Sequence, residues 1–141
     1  MGYLAELAAF AVPGEAGDVE GERLRATGNE FGATTGRPRR CGWFDAVSVR
    51  YSAIVNGINK VAITKLDVLD TFDEIKICIG YQHGKKLLKT FPTDSQTLSV
   101  IVPIYETFDG WKTPTANIRS YQALPPNAKK YLDALQSLTG T

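Results

Sequence analysis

Residues 74–82 read Glu-Ile-Lys-Ile-Cys-Ile-Gly-Tyr-Gln, and no other stretch constrains the fold as much. Ile75, Ile77, Ile79 and Tyr81 fall on one side of an extended chain, and Lys76, Cys78, Gly80 and Gln82 on the other. That is the period of a half-covered strand, which needs neighbouring strands and a helical layer to cover its apolar face. Helical patterns flank it. In 44–58, Val47, Tyr51, Ile54, Val55 and Ile58 recur at helical spacing, and Gly57 and Asn59 end the run. Near the carboxyl end, Ala128, Tyr131, Leu132, Leu135 and Leu138 mark an amphipathic helix that Pro125 and Pro126 introduce and Gly140 closes. Asp18 to Thr27 reads as a short helix with Asp18 as N-cap, acidic residues early, arginines late and Gly28 as its stop.

Shorter strands complete the pattern. Val61 to Thr64 is an apolar run expected to form a buried strand that opens into polar residues at its carboxyl end. His83-Gly-Lys-Lys86 makes a turn, and residues 98–105 read as a strand interrupted by Pro103. The order helix, loop, helix, strand, strand predicts an α/β architecture with short strands, flanking helices and an incomplete sheet. At 141 residues and 43% hydrophobic content the chain suits one soluble globular domain. The opening MGYLAELAAFAV is apolar, but it has no basic flank, contains Glu6 and is too short to span a bilayer. PGEAG at 13–17 then breaks any helical pattern.

Charge and cysteine content exclude several function classes. A net charge of +1 does not supply the broad basic face of a nucleic-acid binder. Cys41, Cys78 and the single His83 do not make a zinc site or a disulfide framework, so reduced thiols in a cytoplasmic protein are expected. Positive charge is nonetheless concentrated locally. Gly32 to Arg40, GATTGRPRR, holds two glycines, two threonines and three arginines, with nothing apolar larger than alanine apart from Pro38. The glycines let backbone approach a ligand, Thr34 and Thr35 offer hydroxyls, and Arg37, Arg39 and Arg40 offer forked donors for carboxylate or phosphate. A solvated basic turn and a clamp for a small polyanion are both compatible with that composition.

Thr64-Lys-Leu-Asp67 is the second candidate. A lysine stem can cover a purine face while a carboxylate two residues on accepts from the ring N–H and exocyclic amine of guanine together. The same spacing is also an ordinary strand end. Other candidates reduce to structure. HGKK lacks the spacing and the Ser/Thr of a P-loop, and no G-x-x-x-x-G-K-[ST] occurs in the chain. His83 reads as a turn residue, and Trp43 and Trp111 as packing residues. Asp70, Asp73 and Glu74 read as acidic residues opening the next element.

The basic loop and the K-x-D segment occur in order, joined by CGWFDAVSVRYSAIVNGINKVAI. The runs GNEFGATTGRPRRCGWFDAV, TKLDVLDTFDEIKICIGY and IRSYQALPPNAKKYLDALQSLTG closely resemble the C-terminal third of adenylosuccinate synthetases. The resemblance covers roughly Gly21 to Thr141. It implies the C-terminal part of a P-loop-NTPase-like fold. It also implies a GTP-dependent ligation of IMP and L-aspartate on the route to AMP, with GTP phosphorylating the purine oxygen and the aspartate amine displacing that phosphate.

Residue by residue, the family's aspartate loop falls on Ala33, Thr34, Thr35, Gly36, Arg37, Pro38 and Arg39. Arg37 is further implied to reach IMP and Arg39 the GTP phosphate region, while Lys65, Leu66 and Asp67 match the guanine-recognition segment. The phosphate-binding glycine loop, the catalytic aspartate and histidine and the Mg2+ ligands of the family belong to a region that these 141 residues do not contain. A further guanine-contacting segment of the family normally follows the LTGT at 138–141. The resemblance therefore implies a fragment, residues 21–141, behind a divergent leader, 1–20. Small-molecule substrates, a cytoplasmic location and a homodimer in the full enzyme follow from it, as does inactivity of the fragment alone. A non-catalytic nucleotide- or anion-binding domain derived from that enzyme is the alternative.

Overall fold

The computed structural model describes residues 19–141. Most of the expected divergent leader, 1–20, and the expected cap Asp18 lie outside the described residues. Helix α1 (Val19–Gly28) begins the described chain, with Glu20 and Glu22 in its first turn and Arg25 in its last. Asn29, at φ 50°, turns the chain out of the helix. A loop leads to strand β1 (Phe44–Asp45) and helix α2 (Ala46–Asn56). After a 3₁₀ turn at Leu66–Leu69 come strand β2 (Glu74–His83), strand β3 (Lys86–Leu88), helix α3 (Ser95–Leu98) and strand β4 (Val102–Asp109). Helix α4 (Pro126–Thr139) follows, stopped by Gly140 at φ 74°.

The sheet is mixed and four-stranded, and β2 is its centre. β4 runs antiparallel along β2 from Glu74↔Asp109 to Gln82↔Val102. β1 pairs parallel at Phe44↔Ile77, and β3 antiparallel at Tyr81↔Leu88, so these two short strands share the other edge. Pro103 is tolerated inside β4 because β4 has a partner on one side only. The strand thus continues through Pro103 to Asp109, while Leu98 belongs to α3, whose N-cap Asp94 accepts from Thr97 N–H at 2.7 Å.

The expected alternation of β2 holds for half its length and then reverses. Ile75 and Ile77 enter the larger core with Leu24, Trp43, Phe72, Trp111, Tyr131 and Leu135, beneath α1 and α4. A bulge between Cys78 and Gly80 shifts the register by one residue. Beyond it Tyr81 lies with Cys78, Val47 and Ile101 in a second cluster, and Ile79 is left at the surface. One extra residue in a strand turns every later side chain to the opposite face.

Two further expectations are corrected. Helix α2 forms where expected, but buries Ala46, Val47, Val49 and Ala53, leaving Ile54 71% and Val55 63% exposed and Tyr51 at the surface. Both stripes have helical period. The phase is chosen by Asp45, which caps the helix through Ser48 N–H (3.0 Å) and accepts the buried Tyr81 hydroxyl (2.6 Å). Residues 61–64 form no strand. Every strand of the sheet pairs with β2, and this segment runs outside it with Ile63 exposed. Asp70 and Asp73 stand just before β2, which begins at Glu74, and both also bind the chain after β4. Asp70 accepts from Trp111 Nε1 (2.7 Å), Thr115 N–H (2.7 Å) and the Thr115 hydroxyl (2.8 Å), and Asp73 pairs with Lys112 (2.7 Å). Both therefore tie the chain after β4 to the turn before β2.

Candidate functional site

The basic loop is a closed hairpin-like turn. Phe31 bridges to Pro38, Gly32 N–H donates to Arg37 C=O (2.8 Å), and Gly36 N–H donates back to Gly32 C=O (2.8 Å). Gly36 takes φ 64°, where a side chain would be strained, and a Cβ on Gly32 would stand 2.8 Å from the Thr35 hydroxyl oxygen. These bonds hold the tip at 33–35 in one shape. Thr34, Arg37 and Arg40 are exposed and the Thr35 hydroxyl accepts from Arg37 N–H at 3.4 Å, while among the described residues the guanidinium groups of Arg37 and Arg40 bind nothing.

Arg39 is held differently. Its backbone N–H donates to Glu30 C=O (3.0 Å), and its C=O accepts from Arg25 Nε (2.8 Å). Its guanidinium donates to Glu30 Oε2 at 3.1 Å. The other carboxylate oxygen of Glu30 accepts from the Lys65 ammonium, which also donates to Gly28 C=O at 2.8 Å. Sequence reasoning missed Glu30, although a signal existed: it is the only acid between Glu22 and Asp45, in a stretch carrying five arginines. The Lys65 ammonium beside it holds the Glu30 carboxyl below the usual carboxylate range, against burial and with help from Arg39. Nearby, burial pushes the Cys41 thiol up, so it stays protonated and inert.

Lys65 and Asp67 face different cavities. Lys65, in the left-handed backbone region at φ 56°, lines a hollow of about 90 Å3 with Glu30, Gly28, Cys41, Trp43 and Leu66. Asp67 opens onto a cleft of about 480 Å3 with Leu66, Thr115, Arg119, Ser120 and Tyr121. Only the second is within the range of small-molecule pockets, roughly 300–1,000 Å3. Leu66 separates the two. The fold thus joins the basic loop to the 64–69 segment through Glu30, with Lys65 and Asp67 each lining a different hollow.

Among the described residues no group of three or more His, Cys, Asp or Glu comes together to hold a metal ion. No described helix is long and apolar enough to cross a membrane. What the arrangement can do is bind. It offers free guanidinium groups on a rigid turn and an exposed carboxylate at an open cleft.

A profile of the family described as Adenylosuccinate synthetase matches residues 2–141. The adenylosuccinate synthetase of Thermodesulfovibrio yellowstonii is 48% identical over 134 residues, which is 95% of this chain and 32% of that protein. That of Pelodictyon phaeoclathratiforme is 49% identical over 134 residues, 95% of this chain and 31% of its own length. The solved structure of fully ligated adenylosuccinate synthetase from Plasmodium falciparum superposes with a TM-score of 0.83 at 38% identity, covering 88% of this chain and 30% of that one. The chain spans about a third of the length of the curated relatives it matches. With the same α/β fold and a family match over nearly all its residues, the chain belongs to the adenylosuccinate synthetase family.

Proposed function

We propose that these 141 residues carry the aspartate-binding loop and the guanine-recognition segment of a GTP-dependent ligase that joins IMP to L-aspartate in AMP synthesis. Ala33 to Arg39 grips the carboxylates of L-aspartate. Thr34 and Thr35 donate hydroxyls, Arg37 supplies a bidentate guanidinium that also reaches IMP, and Arg39 faces the GTP phosphates. Lys65, Leu66 and Asp67 form the guanine segment, in which Asp67 accepts the two donors of the base and Lys65 holds its place through Glu30. The observation that carries this reading is the loop itself. Its hydrogen bonds fix the backbone while the Arg37 and Arg40 guanidinium groups bind nothing within the described chain. A turn stiffened in this way presents its cations before a ligand arrives, which lowers the cost of binding one.

Without a phosphate cradle or acid–base pair, the chain alone does not form adenylosuccinate. The working enzyme is a cytoplasmic homodimer that takes its magnesium through residues outside this chain. The test is a chimera in which these residues replace the matching third of the Thermodesulfovibrio yellowstonii synthetase. The chimera turns over IMP, L-aspartate and GTP with magnesium, and the isolated chain does not. A folded, dimeric but inactive chimera overturns the ligase reading and leaves an anion- or nucleotide-binding domain.

A further inference from the structure

The ligase reading uses Glu30 only to hold Lys65 in place, yet among the described residues it is the one side chain that hydrogen-bonds both candidate segments. Its side chain is 7% exposed, while those of its partners Arg39 and Lys65 are each 49% exposed. One oxygen serves each partner. A dissolved anion can therefore reach the two cations while the carboxylate stays inside. The trio of one carboxylate and two cations keeps one positive charge, so an anion is attracted to it. Lys65 also holds an unfavourable left-handed backbone conformation, and its anchors are Glu30 and the Gly28 carbonyl. Lys65 lies two residues from Asp67, at the start of the 3₁₀ turn that carries it.

We propose that Glu30 is a positioning residue that couples the basic loop to the guanine segment. An anionic group engaging Arg39 shifts the Glu30 carboxylate toward Lys65 and resets the placement of Lys65 and Asp67. The inference rests on reading the two segments as parts of one substrate site. Its consequence is reciprocal: whatever seats Asp67 against a base also prepares Arg39 for a phosphate or carboxylate.

The test uses the 141-residue chain and the backbone amide resonances of residues 31–40 and 64–70, followed by NMR. The first arm is an acid titration. The groups facing the Glu30 carboxylate are Arg39 and Lys65, with Arg25 of α1 and the Cys41 thiol behind them. Protonating Glu30 releases both partners at once, so both sets of resonances share one transition at one midpoint. In Glu30→Gln the shared transition disappears from both.

The second arm adds inorganic phosphate at constant pH and ionic strength. In the wild-type chain phosphate moves resonances of both segments. In Glu30→Gln the response at 64–70 falls to about a fifth or less of its wild-type size while the response at 31–40 survives. Separate midpoints in the wild-type titration, or an undiminished phosphate response at 64–70 in the variant, overturn the coupling. If Glu30→Gln does not fold, the wild-type titration alone decides, because it needs no variant. Phosphate that moves neither segment counts against the anion clamp of the ligase reading, and the acid titration still judges the coupling.

Discussion

At the scale of single residues, Arg37 and Arg39 belong to the same sequence run but stand in different circumstances. Arg37 has a free guanidinium, whereas Arg39 is tied to Glu30 and, through it, to Lys65. Lysine cannot replace either without losing the planar, two-pronged geometry that a carboxylate or phosphate matches. In the active chimera, Arg37→Lys is expected to raise the KM for aspartate roughly ten- to a hundredfold, the equivalent of about 1.5–3 kcal/mol, with little change for GTP. Arg39→Lys is expected to weaken GTP as well, because it also disturbs the Glu30 link. Steady-state kinetics with each substrate varied in turn check both, and unchanged aspartate kinetics in Arg37→Lys would make the loop structural. Asp67→Asn leaves one acceptor where guanine presents two donors. GTP use is expected to fall by a similar factor and use of xanthosine triphosphate to rise relative to it. An unchanged preference would make Asp67 a surface aspartate.

At the scale of elements, α2 shows how a correct helix can have the wrong face assigned to it. The apolar stripe of Tyr51, Ile54 and Val55 is the more hydrophobic on paper, yet Ala46, Val49 and Ala53 make the core contact. Truncation separates the two phases. Val49→Ala is expected to cost about 1–2 kcal/mol, the lost burial outweighing a small gain in helix propensity. Ile54→Ala is expected to change stability by less than about 0.5 kcal/mol, or to stabilise slightly. Urea unfolding of the two variants measures this directly. A larger loss in Ile54→Ala than in Val49→Ala would restore the face read from periodicity.

At the scale of the whole molecule, two buried carboxylates make acid stability a balance of opposite signs. Cationic partners lower Glu30, so its stabilisation is present above its unfolded pKa and is lost as pH falls through the folded one. Burial raises Asp45 despite the Tyr81 hydroxyl and the amides it caps, so its ionisation destabilises the fold as pH rises through the interval between unfolded and folded values. Wild type should therefore exceed Glu30→Gln by about 1–3 kcal/mol near about pH 7, and the gap should close toward about pH 3. Asp45→Asn should run the other way, gaining on wild type as pH rises out of the acid range. Unfolding free energies of the three proteins across that range test both signs. A gap between wild type and Glu30→Gln that widens in acid would contradict the assignment at Glu30.

Much of the outline was legible before any coordinates. Helix α4, the turn at His83–Lys86 and the strand at 74–82 follow from period, proline and glycine placement, which are local properties of the chain. The basic loop and the K-x-D segment were visible as unusual chemistry at short spacing, and their resemblance to one family is a property of sequence alone. Tertiary structure decided what depends on partners distant in the chain. Residues 61–64 look like a strand, but a strand exists only where another accepts its hydrogen bonds. The bulge after Cys78 comes from the pairing of β2 with β4, and it moves Tyr81 to the opposite face from Ile77. The phase of α2 follows from Asp45 reaching a tyrosine 36 positions away. Glu30 stood out only as a lone acid among arginines. Its role rests on Lys65, which the sequence separates from it by 35 residues and the fold brings within a hydrogen bond.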